Sequence, residues 1–154
     1  MSQDAAARSF CAGRHLLENE HSPSSRAALW RIFVADDDAD MRALLAEQLR
    51  DDGHDVSELR DGFQLLERLQ AVRSSPLWWP DAIVSDVRMP GHSGLELLAA
   101  LRRAGWTTPV VLITAFGDRW LHDQAKRRGA AAVLDKPFDI EELRTVLRFL
   151  RSPN

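Results

Sequence analysis

The chain has little cysteine and no long hydrophobic run. Cys11 is its single cysteine, which excludes an internal disulfide and agrees with a reducing compartment. The longest apolar stretches have the length of a strand, far below the about 20 residues that span a bilayer. The first residues also lack the basic start and apolar segment of a signal peptide. We therefore predict a cytoplasmic protein that is not inserted in a membrane.

The chain has no excess of positive charge either. Its net charge is −3, so nothing indicates nucleic acid as a direct partner. A length of 154 residues is typical of one domain with a sizeable core. Residues 1–28 differ from the rest, because 5–20 has the pattern of a loose helix and the stretch after it has linker composition. We predict a partly ordered N-terminal extension over 1–28 and one domain over 29–151.

Short apolar runs alternate with segments of helical spacing from residue 31 onward. The apolar runs predict five strands, which lie at 32–35, 54–59, 82–85, 110–113 and 131–134. The helical spacing predicts five helices, which lie at 39–52, 63–69, 95–104, 118–128 and 140–150. Glycine follows three of these helices and favours a helix end. Strands that alternate with helices indicate an α/β fold with a parallel sheet.

Polar side chains follow four of the predicted strands at the point where each strand ends. Asp36 and Asp37 follow the first strand, Asp86 the third, Thr114 the fourth and Lys136 the fifth. Because the carboxyl ends of the strands in a doubly wound sheet border one crevice, we expect these side chains to converge there. Three carboxylates, a hydroxyl and an ammonium suit a hard cation such as Mg²⁺ together with a phosphoryl group.

Each of these residues also has an ordinary structural explanation. Aspartates near a helix start cap its free N–H groups, which is the role we expect of Asp38 and which explains Asp36 and Asp37 about equally well. A lone aspartate at a strand end is more often a cap than a nucleophile, and most lysines are solvated. Acidic positions on two adjacent strands, however, allow one cation to bridge both, and an aspartate can then accept a phosphoryl group.

Residues 31–150 resemble the receiver domain of two-component response regulators. The order and spacing of five motifs carry the resemblance: IFVADDD at 32–38, DVRMPG at 86–91, GLELL at 94–98, ITA at 113–115 and KPF at 136–138. The resemblance implies a flavodoxin-like (β/α)5 fold, a doubly wound five-stranded parallel sheet with strand order 2-1-3-4-5. The resemblance is to the single-domain type, whose fold is that of chemotaxis response regulators.

The resemblance also implies a phosphorylation site with a metal ion. Asp86 would be the phosphoacceptor. Asp37 and Asp86 would hold Mg²⁺ with the backbone carbonyl of Arg88, and Asp36 would contribute through a water molecule. Thr114 and Lys136, which complete the set, would bind the phosphoryl group.

Three smaller features accompany this site. The small side chain of Ala115 lets its backbone N–H approach phosphate oxygens, and the resemblance implies a cis bond between Lys136 and Pro137. Receivers usually carry an aromatic residue three positions before the lysine, which swings inward as the threonine moves. Here that switch position is Val133, which has no ring to move. We therefore predict a readout through loop and helix shifts around 114–120.

The expected function follows from the resemblance. The protein would be a stand-alone response regulator that takes a phosphoryl group from a phosphohistidine on a histidine kinase or phosphotransfer protein. It would be no enzyme beyond its own phosphorylation and dephosphorylation, and it would act as a monomer or a phosphorylation-dependent dimer. A protein effector would bind the fourth helix, fifth strand and fifth helix, on a face that includes Trp120, Arg127, Arg128, Arg144 and Arg148. A merely solvated face explains these arginines equally well.

Two other functions remain open at this point. A small Mg²⁺-dependent phosphatase related to the haloacid dehalogenases would use Asp36 as its nucleophile and leave Asp86 without a role. A pseudo-receiver would be an interaction module that is never phosphorylated.

Overall fold

The computed structural model describes residues 29–152. The predicted extension over 1–28 and its helix lie outside the described residues. Five strands form one sheet: β1 Arg31–Ala35, β2 Asp55–Leu59, β3 Ala82–Asp86, β4 Val110–Thr114 and β5 Ala132–Asp135. Five α-helices connect and follow them: α1 Ala39–Asp51, α2 Gly62–Val72, α3 Gly94–Arg103, α4 Arg119–Arg127 and α5 Ile140–Arg151. A short 3-10 helix, Pro76–Trp78, lies in the stretch predicted as a loop.

All neighbouring strands pair in parallel, in the order β2-β1-β3-β4-β5. The predicted doubly wound, flavodoxin-like α/β fold is therefore confirmed. The strand ends differ from the prediction by one residue at the site. Asp86 and Thr114 are the last residues of β3 and β4, in register with Ile113 and Asp135 of the next strands. Polar side chains thus complete two apolar strands at the carboxyl edge of the sheet.

The sheet separates two hydrophobic cores, because alternate residues of each strand point to opposite faces. Side chains of α1 and α5 cover one face, and those of α2, α3 and α4 cover the other. The central strands β3 and β4 are buried along their whole length, which explains why they read as continuous apolar runs. Among residues 29–152, no helix has the length and apolarity needed to cross a bilayer.

Side-chain caps fix where each of the five described α-helices begins. The side chain before each first residue accepts a backbone N–H of the first turn, and these caps are Asp38, Asp61, Ser93, Asp118 and Asp139. The role predicted for Asp38 is confirmed, since its carboxylate accepts the N–H groups of Asp40 and Met41. The caps hold the helix starts beside the carboxyl edge of the sheet, where the candidate site lies.

Candidate functional site

Three carboxylates meet at the carboxyl edge of the sheet. Single oxygens of Asp36, Asp37 and Asp86 all lie within 4.8 Å of one another. Asp36 and Asp37 directly follow β1, and Asp86 ends β3, so the β1–β3 pairing makes them neighbours. Asp36 and Asp86 are buried, with 1% and 7% of their surface exposed, whereas Asp37 is exposed. The cluster therefore has a buried floor and an open side.

Lys136 supplies the positive charge of the site. Its ammonium Nζ lies 3.3 Å from Asp86 Oδ2 and 3.5 Å from Asp36 Oδ2. The backbone N–H of Lys136 donates to the carbonyl of Thr114 at 2.7 Å, which fixes the start of this segment to the end of β4. The bond from Lys136 to Pro137 is cis, as the resemblance implies.

Burial and neighbouring charges shift the pKa values of Asp36 and Lys136. Burial is the main reason why the pKa of Asp36 is raised, and the nearby Asp86 adds to it, while the Asp38 N–H and the Lys136 ammonium oppose both. Burial by itself would lower the pKa of Lys136, but Asp36 and Asp86 outweigh it and raise that pKa. The ammonium therefore stays charged between the two buried carboxylates at neutral pH.

Thr114 lies beside these charges at the end of β4. It is buried, and its Oγ1 accepts the backbone N–H of Phe116 at 3.1 Å. Ala115 is exposed between them. The Thr114 hydroxyl thus contacts the loop that leads into α4. The proposed contacts of Thr114, Ala115 and Lys136 with a phosphoryl group remain predictions.

Arg88 and Phe116 form the rim of the site. The Arg88 guanidinium lies over the Phe116 ring, 4.4 Å from its centroid, in the geometry of a cation–π contact. The Arg88 backbone N–H approaches Asp86 Oδ1 at 3.3 Å. The role of the Arg88 carbonyl as a metal ligand remains a prediction. On the other side of the cluster, the Arg42 guanidinium donates to the Asp36 carbonyl at 2.8 Å and holds the loop after β1.

The donor set fits Mg²⁺ by its chemistry. The cluster offers carboxylate oxygens alone, which are the hard ligands that Mg²⁺ prefers. Two buried carboxylates with one exposed partner leave an open side on which water and phosphate oxygens can complete the coordination. Asp36, Asp37 and Asp86 are therefore the residues that would hold the ion.

Two predicted residues outside the pocket have different surroundings. Val133 is half-buried in β5 and packs against the core formed with α2, α3 and α4. Arg144 was predicted on the effector face, but its guanidinium contacts Asp52 at 2.7 and 3.0 Å and Gln48 at 3.1 Å. These contacts join α5 to α1, and the place of Arg144 in the effector face remains a prediction. Trp120 is 62% exposed on α4.

One pair next to the site was not predicted at all. The Nε2 of His122 lies 3.0 and 3.1 Å from the two carboxylate oxygens of Asp135. The two residues are 13 positions apart and belong to no motif, so the sequence offers no pattern that would pair them. Their contact depends on the packing of α4 against the end of β5.

Comparisons with known proteins agree with this geometry. The family model described as the response regulator receiver domain matches residues 32–148. The transcriptional regulatory protein PdtaR of Mycobacterium tuberculosis is 37% identical over 114 residues, which are 73% of this chain and 52% of PdtaR. The chain thus spans about half the length of that relative. Sporulation initiation phosphotransferase F of Bacillus subtilis is 29% identical over 118 residues, which are 77% of this chain and 90% of that protein.

Solved structures of response regulators are also similar to this chain. The chemotaxis protein CheY4 of Vibrio cholerae has a TM-score of 0.70 and 30% identity, and the match covers 80% of this chain and 99% of that one. The receiver domain of the Francisella response regulator 1452 has a TM-score of 0.71 and 28% identity, over 79% of this chain and 96% of that one. The fold, the acidic pocket and the family match agree, and the chain belongs to the response regulator receiver domain family.

Proposed function

We propose that the protein is a stand-alone receiver that accepts a phosphoryl group on Asp86. The observation that carries this proposal is the position of the Asp86 carboxylate. It ends a buried strand, lies within 4.8 Å of the Asp36 and Asp37 oxygens, and has the Lys136 ammonium 3.3 Å away. A carboxylate between a cation site and a fixed ammonium can both attack a phosphoryl group and have the resulting charge neutralised.

The donor would be a phosphohistidine, because receiver domains interact with histidine kinases. An Asp86 oxygen attacks phosphorus, the N–P bond of the donor breaks, and the imidazole leaves with its electron pair and takes up a proton. The product is an acyl phosphate on Asp86. Mg²⁺ held by Asp36, Asp37 and Asp86 would supply positive charge to the phosphoryl oxygens. Lys136, the Thr114 hydroxyl and the Ala115 N–H would bind the same oxygens.

The surroundings of the pocket support a protein donor. A groove of about 340 Å³ lies between α1 and the segment after Lys136. Its lining is mainly apolar and includes Met41, Leu44, Phe138 and Ile140, and Leu44 is exposed. The loop after β1, which carries the acidic pair, leads directly into this groove. A donor helix with apolar side chains would fit there and bring its phosphohistidine to the pocket.

The output would be a protein contact or onward transfer of the phosphoryl group. The α4, β5 and α5 face offers the exposed Trp120 and the arginines 127, 128 and 148 to an effector. The match to CheY4, which covers 80% of this chain and 99% of CheY4, supports this assignment. The chain would be a cytoplasmic monomer or a phosphorylation-dependent dimer.

Intact mass spectrometry tests the proposal. The wild type, incubated with Mg²⁺ and a small phosphodonor such as acetyl phosphate, should gain the mass of one phosphoryl group. Asp86→Ala should gain none, while Asp123→Asn, an exposed site on α4, should react like the wild type. EDTA should abolish the gain. A gain that persists in Asp86→Ala but not in Asp36→Ala, with turnover of phosphoesters, would identify a phosphatase, and a wild type that gains no mass and binds no Mg²⁺ would identify a pseudo-receiver.

A further inference from the structure

The His122–Asp135 pair connects α4 to the strand that leads into Lys136. His122 lies on α4, and Asp135 is the last residue of β5, directly before the lysine of the pocket. We propose that this pair transmits the state of Thr114 to α4, in the role that the ring missing at Val133 would otherwise serve. The inference rests on the proposed phosphorylation of Asp86.

The first link of this path is the Thr114 hydroxyl. In this structure its oxygen accepts the Phe116 N–H at 3.1 Å, while the Thr114 carbonyl accepts the Lys136 N–H at 2.7 Å. Because a hydroxyl can donate and accept at once, this link requires the whole Thr114 side chain to rotate towards the phosphoryl group. That rotation moves Oγ1 away from the Phe116 N–H, and the loop after β4 then loses this contact.

The second link is the close approach of Gly117 to the pair. A Cβ at Gly117 would lie 1.7 Å from Asp135 Oδ1 and 2.9 Å from His122 Nε2, far inside normal contact distance. The loop backbone thus lies directly against the outer ends of these two partly exposed side chains. A shift of this loop towards the pair therefore has to displace one or both side-chain ends, which changes their contact with each other.

The third link is the helix itself. His122 lies on α4 two residues after Trp120, whose ring is 62% exposed. A movement of the pair therefore reaches a large apolar side chain on the surface. Val133 has no ring to move, and its half-buried side chain packs against the core. His122 and Asp135 are thus positioning residues that act through the loop and do not touch the phosphoryl group.

The test measures the change at Trp120 when Asp86 is phosphorylated. The indole N–H signals of the tryptophans are recorded by NMR before and after addition of Mg²⁺ and acetyl phosphate, and Trp120→Phe assigns the signal. In His122→Ala and in Asp135→Ala the phosphorylation-induced shift should fall below about half of the wild-type shift. The double variant should show no further fall, because the two residues act as one unit.

Controls separate this role from damage to the fold. The side chains of His122 and Asp135 are 38% and 53% exposed, so both variants should fold, and intact mass should show wild-type phosphorylation. Asp123→Asn on the same helix should keep the full shift. Gly117→Ala, whose Cβ would lie against Asp135 Oδ1 and His122 Nε2, should disturb the pair and reduce the shift as the other variants do.

Each result decides something different. A wild type that gains a phosphoryl group and variants that keep its full shift would overturn the coupling role and leave the phosphoacceptor assignment intact. Additive losses in the double variant would also overturn it, because independent residues give additive effects. A wild type that gains no mass overturns the proposed function and this inference with it.

Discussion

Replacement of Asp36 by asparagine should stabilise the metal-free chain and weaken its response to Mg²⁺. Asp36 is almost completely buried, and its Oδ1 accepts the Asp38 N–H at 2.9 Å. Asparagine keeps an oxygen for that hydrogen bond and has nearly the same shape. The substitution therefore removes a buried negative charge together with its ion pair to Lys136.

The effects of the Asp86 and Lys136 charges on Asp36 nearly cancel. The cost of burying the Asp36 carboxylate therefore decides whether Asp36→Asn stabilises the fold. At an effective dielectric constant of 20, an Asp86 oxygen within 4.8 Å repels Asp36 by at least about 3.5 kcal/mol, and Lys136 at 3.5 Å attracts it by about 4.7 kcal/mol. The remaining desolvation penalty agrees with the raised pKa of Asp36, of which burial is the first cause. We expect the free energy of unfolding to rise by about 1 kcal/mol in Asp36→Asn, the usual scale of a single-site effect.

The sign of the pH dependence follows from the same shift. The folded chain binds the Asp36 proton more tightly than the unfolded chain does, because the pKa is raised from 3.8 in the fold. The wild type therefore loses stability as the pH rises from that value through the folded-state pKa. Asp36→Asn lacks this loss, so its advantage should be present in full at neutral pH.

Magnesium should remove this difference in stability. An ion at 100 times its dissociation constant stabilises the fold by about 2.7 kcal/mol. If loss of one carboxylate weakens the ion about tenfold, the variant gains about 1.4 kcal/mol at the same concentration. The difference of about 1.3 kcal/mol cancels the advantage that the variant has without metal. The two proteins should then be nearly equal in stability.

Urea unfolding at neutral pH measures both conditions. The wild type, Asp36→Asn and the surface control Asp123→Asn are compared in EDTA and in Mg²⁺. The comparison is valid when the free energy of unfolding falls with urea concentration at the same slope in all three proteins. Asp123→Asn should follow the wild type in both. The reasoning would be refuted by an Asp36→Asn variant that is less stable than the wild type in EDTA. It would also be refuted if Mg²⁺ stabilised the variant as much as it stabilises the wild type.

Three further predictions concern the scaffold. Leu98→Ala, at a fully buried position of α3, should lower the free energy of unfolding by about 2–5 kcal/mol in urea melts. Asp139→Ala removes the capping box of α5 and should cost about 1 kcal/mol in the same assay. Burial, and then Arg151, lower the pKa of His54, so stability should fall as the pH drops below 6.5. His54→Gln should flatten that decline in a series of urea melts between neutral and mildly acidic pH.

The sequence predicted the fold and the pocket because both depend on patterns that are local in the chain. Each strand is a run of buried apolar residues, and each helix start has a capping side chain, so element order follows from spacing alone. The pocket residues directly follow strands, and a parallel sheet brings strand ends together whatever the side chains are. Asp36, Asp86 and Lys136 could therefore be placed in one crevice without knowledge of any contact between them.

Contacts between helix surfaces and neighbouring elements could not be predicted in this way. Arg144 lies next to the buried Leu143, and its spacing allows it to face either side of α5. The structure shows that Asp52 and Gln48 draw it towards α1. The His122–Asp135 contact likewise depends on how far α4 lies from the end of β5, which no periodicity specifies. Side-chain partners that lie far apart in sequence are set by packing rather than by pattern.

The acidic pocket is the place where folding and function oppose each other. The cores on both faces of the sheet contribute stability, while Asp36 and Asp86 place two carboxylates in buried surroundings at the edge of the same strands. Lys136 offsets the repulsion between them and is the group that a phosphoryl oxygen would later contact. The burial of the two carboxylates remains a cost, which a bound cation would lower, so Mg²⁺ binding should stabilise the fold. A phosphoryl group adds negative charge, and its binding would therefore depend on the same cation and on Lys136.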